Sequence, residues 1–214
     1  MGPRDFAAML LDAKAVKISF DPPFTYASGL RAPIYTDNRV LISYVKERTM
    51  IIEGMVAKAK ELGFGSEMFY AGTATAGISW ASFLADRLMA PMIYIRPKPK
   101  DHGTGKQIEG SIPSGSTAVI VEDLVTTGGS SLATAEVLRR EGGGNVAHMF
   151  AIFTYGFEKM YKAFEEAGVA LHVLTDFPTL LDVARERGDI TAEQYEKILE
   201  YKADPENWAA KMGL

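Results

Sequence analysis

Residues 117–131 read Thr-Ala-Val-Ile-Val-Glu-Asp-Leu-Val-Thr-Thr-Gly-Gly-Ser-Ser. A short β-branched apolar run ends in two adjacent acids, Glu122 and Asp123. A loop of hydroxyls and glycines follows, Thr126 to Ser131, and a helical pattern begins at Leu132. Val119 to Val121 suit a strand buried on both faces. Acids closing such a strand sit where open α/β sheets bind ligands. Gly128 and Gly129 let a ligand approach the backbone closely. The helix start offers unpaired N–H groups and a positive dipole end to a phosphate.

The stretch implies a ligand with two unlike ends. The N–H-rich loop, with the hydroxyls of Thr126, Thr127, Ser130 and Ser131, suits a phosphate. Paired acids repel a phosphate and suit hydroxyls or a cation. A sugar phosphate satisfies both. A plain strand–turn–helix connection, with solvated or capping acids, is the alternative; it leaves two adjacent acids closing an apolar strand without a reason. A P-loop is rejected: Gly105-Lys106 is followed by Gln107 rather than Ser or Thr, and no strand directly precedes it.

The chain has 214 residues, 47% hydrophobic and 23% charged, enough for one domain with a sizeable core. Its net charge of −4, without a sustained basic block, argues against nucleic acid as the main partner. With no cysteine there is no disulfide, thiolate nucleophile or zinc–thiolate site, which fits a reducing cytoplasm. Phe6 to Val16, broken by Asp12 and Lys14, reads as an amphipathic helix rather than a signal peptide. No apolar run is long enough to span a bilayer.

Strand patterns occur near 67–72, 92–96, 117–122, 147–154 and 170–174, with helical patterns near 44–62, 75–89, 131–141 and 157–167. This alternation predicts an α/β fold: a central, mostly parallel sheet flanked by helices. Gly142-Gly143-Gly144 reads as a helix stop. Residues 20–42, rich in Pro, Gly and aromatics, read as irregular strands or a flap. Residues 178–211 read as short helices, with a Thr191/Gln194 capping box and a further start at Asp204-Pro205-Glu206. We expect a single domain: a hood over approximately 1–42, a core over 43–175 and a helical tail over 176–214. Trp80 is expected in the core. His148 and His172 are expected packed or hydrogen-bonded rather than catalytic.

Three further segments carry chemistry. Residues 96–110 crowd Arg96, Lys98, Lys100, His102 and Lys106 between prolines and glycines. The run reads either as a solvated basic loop or as a mobile cationic lid, which would neutralise a departing diphosphate and exclude water. Residues 24–37 read Phe-Thr-Tyr-Ala-Ser-Gly-Leu-Arg-Ala-Pro-Ile-Tyr-Thr-Asp. There Tyr35 can stack on a flat ring, while Phe24 and Tyr26 also suit plain hairpin packing. Ala71 to Ile78 joins a strand to a helix through small residues, again a phosphate-compatible turn.

Glu122–Ser130 resembles the signature of the type I phosphoribosyltransferases, which bind 5-phosphoribosyl 1-diphosphate (PRPP). The run 96–110 resembles the catalytic loop of the orotate phosphoribosyltransferases, and 24–37 resembles their base-covering flap. The resemblance implies the type I phosphoribosyltransferase fold, with a small N-terminal hood and a helical C-terminal tail. It implies transfer of a phosphoribosyl group from PRPP to orotate, in pyrimidine (UMP) biosynthesis in the cytoplasm. It places PRPP on Arg96, Lys100, His102, Glu122, Asp123, Leu124, Val125, Thr126, Thr127, Gly128, Gly129 and Ser130. It places orotate on Tyr35, Thr36 and Thr126, and catalysis on Lys100, His102 and Asp123. It implies Mg²⁺ bound through substrate oxygens and water, without a dedicated protein site. It also implies a homodimer whose 96–110 loop reaches the neighbouring site.

Three departures stand out. Ala27 replaces a common Lys, Thr75-Ala76 replaces a Tyr-Lys pair, and Thr154-Tyr155-Gly156-Phe157 lacks an Arg expected after the strand. Orotate recognition then rests on Thr126, flap backbone groups or Arg31. The alternatives are a phosphoribosyltransferase for another base, or a non-catalytic PRPP-sensing regulator; the latter should carry a nucleic-acid-binding module and lack the lid.

Overall fold

The apolar stretch quoted above forms the central strand of the molecule. A computed structural model describes residues 1–26, 29–99 and 105–213. In chain order the elements are α1 (Pro3–Asp12), β1 (Val16–Ile18), β2 (Phe24–Thr25), β3 (Arg31–Ala32), β4 (Ile34–Thr36), a 3₁₀ helix (Asn38–Ser43), α2 (Val45–Glu61) and β5 (Phe69–Thr73). There follow α3 (Ala76–Leu88), β6 (Met92–Ile95), β7 (Ile108–Glu109), β8 (Thr117–Val125), α4 (Gly129–Gly142), β9 (Asn145–Thr154), α5 (Glu158–Glu166), β10 (Ala170–Asp176), α6 (Phe177–Glu186), α7 (Ala192–Ala203) and α8 (Trp208–Lys211).

Six strands form one sheet in the order β10-β9-β8-β5-β6-β7. All its pairs are parallel except β6–β7. Side chains of β8 alternate between two cores, as the period of two requires. Val119 and Val121 pack with α2, α3 and α6 on one face. Ala118 and Ile120 pack with α4 and α5 on the other. Trp80 of α3 is fully buried, as expected. The hood comprises two small antiparallel pairs, β1–β4 and β2–β3, followed by the 3₁₀ helix.

Several boundaries differ from expectation. The N-terminal helix ends at Asp12, and Val16 opens β1 instead of closing the helix. Lys14 turns left-handed at φ 54°, and the Ala15 N–H bonds back to Leu10 O, which stops the helix. Strand β8 runs on through both acids to Val125, so Glu122 and Asp123 lie within it rather than at its end. Asp204 does not open a helix. It follows α7, and its carboxylate accepts from Asn207 Nδ2 (2.9 Å) and Lys211 Nζ (2.8 Å), holding the start of α8 from outside. The Thr191/Gln194 capping box and the left-handed Gly143 after α4 match expectation. So does the histidine pair, with His148 Nδ1 and His172 Nε2 3.0 Å apart.

Candidate active site

Strand order reverses between β5 and β8: β6 lies beyond β5, while β9 lies beyond β8. The last paired residues are Gly72 and Val121. One residue further on, Thr73 and Glu122 flank an opening. Such a switch point at the carboxyl ends of parallel strands is where open α/β sheets bind ligands. A cleft of about 330 Å³ opens there, walled by Thr73 to Ala76, Glu122 to Leu124, Ser130, and Thr36, Asp37 and Arg39 of the hood. Gly77 brings α3 hard against β8: a Cβ there would stand 2.3 Å from Val121 O. Only glycine lets the turn before α3 approach the acids so closely.

Glu122 and Asp123 are both buried, at 5% and 9% exposure. Burial, then the neighbouring Asp123 charge, pushes Glu122 up to about 8. Burial also raises Asp123, opposed by its hydrogen bond with Glu122 and by the Arg39 charge. Glu122, held towards its protonated form near neutrality, sets a donor beside acceptor oxygens, a set suited to a vicinal diol. Asn38 Nδ2 donates to Asp123 O at 2.7 Å, tying the hood to this strand. Arg39 grips Asp37 with two bonds, Nε to Oδ1 at 2.6 Å and Nη2 to Oδ2 at 2.9 Å. That grip holds the Asp37 carboxyl below its usual range.

Beyond the acids, Gly128 at φ 83° turns the chain into α4. A side chain there would also strike Phe164. The first-turn N–H groups of α4 lack intrahelical partners. Thr126, Thr127, Gly129 and Ser130 are exposed around this turn, whereas Ser131 is buried. On the hood side lies a second pocket of about 230 Å³, lined by Tyr26, Tyr35, Thr36, Leu124, Thr126, Tyr155, Phe157 and Tyr201. It is an aromatic slot that shares Thr36 and Leu124 with the cleft of the acid pair.

A family model described as a phosphoribosyl transferase domain matches residues 43–156. The orotate phosphoribosyltransferase of Cutibacterium acnes is 48% identical over 206 residues, covering 96% of this chain and 94% of that protein. This chain belongs to the orotate phosphoribosyltransferase family. The solved orotate phosphoribosyltransferase of Aeropyrum pernix aligns at TM-score 0.73 and 31% identity, over 87% of this chain and 99% of that one. UMP synthase of Leishmania donovani shares the fold at TM-score 0.76 and 24% identity; the match covers 95% of this chain and 42% of that longer one.

Within this family's fold the residues singled out above take definite places. Tyr35, Thr36 and Thr126 line the aromatic slot. Leu124 lies between slot and cleft. Val125 is buried, and its carbonyl accepts from Thr154 Oγ1 and Tyr155 N, so it contributes to the core beneath the loop. Arg96 borders an adjoining hollow with Thr73, Ala74, Gln107 and Ser130. Lys100 and His102, with Asp101, fall outside the described residues, as does Ala27.

The two feet of the 96–110 segment are clasped together. Arg96 N donates to Gln107 O at 2.9 Å, and Gln107 Nε2 donates back to Arg96 O at 3.0 Å. Gln107 N donates to Glu141 Oε2 of α4 at 2.9 Å. Arg31 does not border the slot, and none of the described residues lining it is cationic. Sequence reasoning missed Tyr201 altogether and saw Tyr155 only as the absence of an Arg.

Proposed function

We propose that this chain transfers the phosphoribosyl group of PRPP to N1 of orotate, giving orotidine 5′-phosphate and diphosphate with inversion at the anomeric carbon. The anomeric C–O bond to diphosphate breaks, the C–N1 bond forms, and N1 has lost its proton. This makes it a cytoplasmic enzyme of pyrimidine (UMP) biosynthesis. The observation that carries the reading is the buried acid pair, which stands between the N–H-rich start of α4 and an aromatic slot. Phosphate, diol and flat base would each find one of these surfaces, and the slot and the cleft share Thr36 and Leu124.

Glu122 and Asp123 would hold the ribose hydroxyls. Thr126, Thr127, Gly128, Gly129 and Ser130 would hold the 5′-phosphate, with Leu124 and Val125 shaping the strand beneath. Arg96, Lys100 and His102 would face the diphosphate. Orotate would lie between Tyr35 and Thr126, against Thr36. Catalysis then comes mainly from positioning and charge stabilisation, with Lys100, His102 and Asp123 nearest the reacting centre.

Mg²⁺ fits this donor set. A hard cation readily takes diphosphate, ribose and water oxygens, and the cleft sets the carboxyl groups of Glu122 and Asp123 beside them. When bound it would neutralise diphosphate charge. The chain would act as a homodimer, each 96–110 loop reaching its neighbour's site. We read it as one domain, with hood 1–42, core 43–175 and tail 176–214. Among the described residues no helix is long and apolar enough to cross a membrane.

The cation-free lining of the slot favours one second reading, a phosphoribosyltransferase for a base other than orotate. Diphosphate release from PRPP and Mg²⁺, measured with each free nucleobase, separates the two. Orotate should be the substrate, uracil much poorer, and adenine, hypoxanthine and guanine inactive. Preference for a purine would overturn the base assignment.

A further inference from the structure

The aromatic slot is completed by a residue far outside the 43–156 domain match. Tyr201 lies on α7 of the C-terminal tail and is 3% exposed. Its ring meets Trp208 edge-on, with centroids 5.8 Å apart at 85°. Trp208 is locked in turn by Nε1 donating to Lys197 O at 2.8 Å. The tail thus sets one phenol at the slot, beside Tyr26 of the hood.

Three phenol hydroxyls meet there. Tyr26 donates to Ile34 O at 2.7 Å. With that proton committed to Ile34 O, the Tyr26 oxygen can only accept from the neighbouring hydroxyls of Tyr155 and Tyr201. Tyr155 also contacts Thr36 Oγ1 at 3.0 Å. Tyr155 and Tyr201 therefore each carry one proton that a rotation about the C–O bond can redirect to a ligand. Tyr26 would lose only accepted bonds, and no donor would be stranded. Burial pushes all three phenols above their ordinary range, so they remain protonated donors at neutral pH.

A ligand anion entering this slot meets no positive side chain among the described lining residues. The side-chain donors among the described lining residues are all hydroxyls, and O–H···O⁻ bonds are among the stronger neutral-to-ion contacts. We propose that Tyr201, together with Tyr155, is a specificity-determining residue of the base site, receiving the carboxylate of the pyrimidine through its hydroxyl. The inference rests on the orotate reading above, and it gives the C-terminal tail a direct part in substrate choice.

Two product nucleotides that differ only in the carboxylate isolate this contact. Calorimetry would measure the dissociation constants of orotidine 5′-phosphate and uridine 5′-phosphate for the intact protein, for Tyr201→Phe and for Tyr155→Phe. Both variants keep the ring, and a thermal melt confirms the fold. In the parent protein orotidine 5′-phosphate should bind the more tightly. In either folded variant that preference should shrink about tenfold or more, the effect of losing a charge-assisted hydrogen bond.

Trp208→Phe, which disturbs the tail but keeps the hydroxyl, should weaken both nucleotides alike. A preference unchanged in folded Tyr201→Phe would overturn the inference and leave the orotate reading intact. A parent protein that showed no preference for the carboxylated nucleotide would overturn the reading of the base itself, and this inference with it.

Discussion

The hydroxyl of Tyr155, just past the end of β9, lies 3.0 Å from that of Thr36 at the end of β4. This contact joins the sheet to the hood across the base slot. Neither residue has a partner of this kind in its own segment, so the slot's width depends on hood and sheet staying in register. Thr36→Val keeps the shape and removes the hydroxyl. A neutral hydrogen bond contributes roughly 0.5–1.5 kcal/mol. The KM for the base should therefore rise roughly two- to tenfold while the KM for PRPP stays nearly constant. Steady-state kinetics with each substrate varied in turn checks this, and equal changes in both would argue against a role confined to the base.

Burial raises the Asp123 carboxyl, and the Arg39 charge opposes that rise. Asp123→Asn removes the charge and keeps the size. Losing a hydrogen bond to a charged group costs ~1.5–3 kcal/mol, so kcat/KM for PRPP should fall by at least about tenfold with the melting temperature little changed. Unaltered kinetics in a folded variant would remove Asp123 from the ribose site.

Glu122 supplies a pH signature in the ligand-free protein. Its folded-state pKa is raised from 4.5 to about 8. The folded state thus binds a proton that the unfolded state releases earlier, and stability is lost as pH rises between those values. Glu122→Gln imitates the protonated form at every pH. Its melting temperature should exceed the parent's by at least about 2–4 °C at pH 8.5, for ~1 kcal/mol in a chain of this size, and the two should converge near pH 5. Parallel melting curves across that range would contradict the burial argument. The cost in stability is of the kind that functional sites carry.

Much of this was legible beforehand, and the exceptions have physical causes. The five parallel strands announce themselves as apolar runs because both faces are buried, as Val119 to Val121 show. The end of β8 was read short because two adjacent acids look like a strand's end; nothing local says that a carboxyl can be buried there at the expense of its ionisation. The slot was only half visible. Tyr35 and Thr36 share a motif, but Tyr155 and Tyr201 join them from distant segments, and aromatic residues in a helix such as α7 read as ordinary core. The hood's short paired strands carry little period, since two or three residues do not establish an alternation.

The 96–110 segment brings the lid and the dimer into one test. Its feet are fixed by the mutual bonds of Arg96 and Gln107 and by Gln107 N to Glu141. These two feet border the hollow that holds Thr73 and Ser130. If Lys100 acts on the departing diphosphate, Lys100→Ala should lower kcat more than it weakens PRPP binding, because the charge to be met grows in the transition state. The family resemblance adds that the loop serves the neighbour's site. Lys100→Ala and Asp123→Asn, each nearly inactive alone, should then partly restore activity when mixed under conditions of subunit exchange. A hybrid dimer would gather both lesions in one site and leave the other whole. With free exchange, up to half of the dimers are hybrids with one intact site each, so recovery should approach about a quarter of parental activity per subunit, the statistical limit for closed dimers. Mixtures that stay at the sum of the two variants, with exchange demonstrated by labelled subunits, would show that each loop works on its own chain.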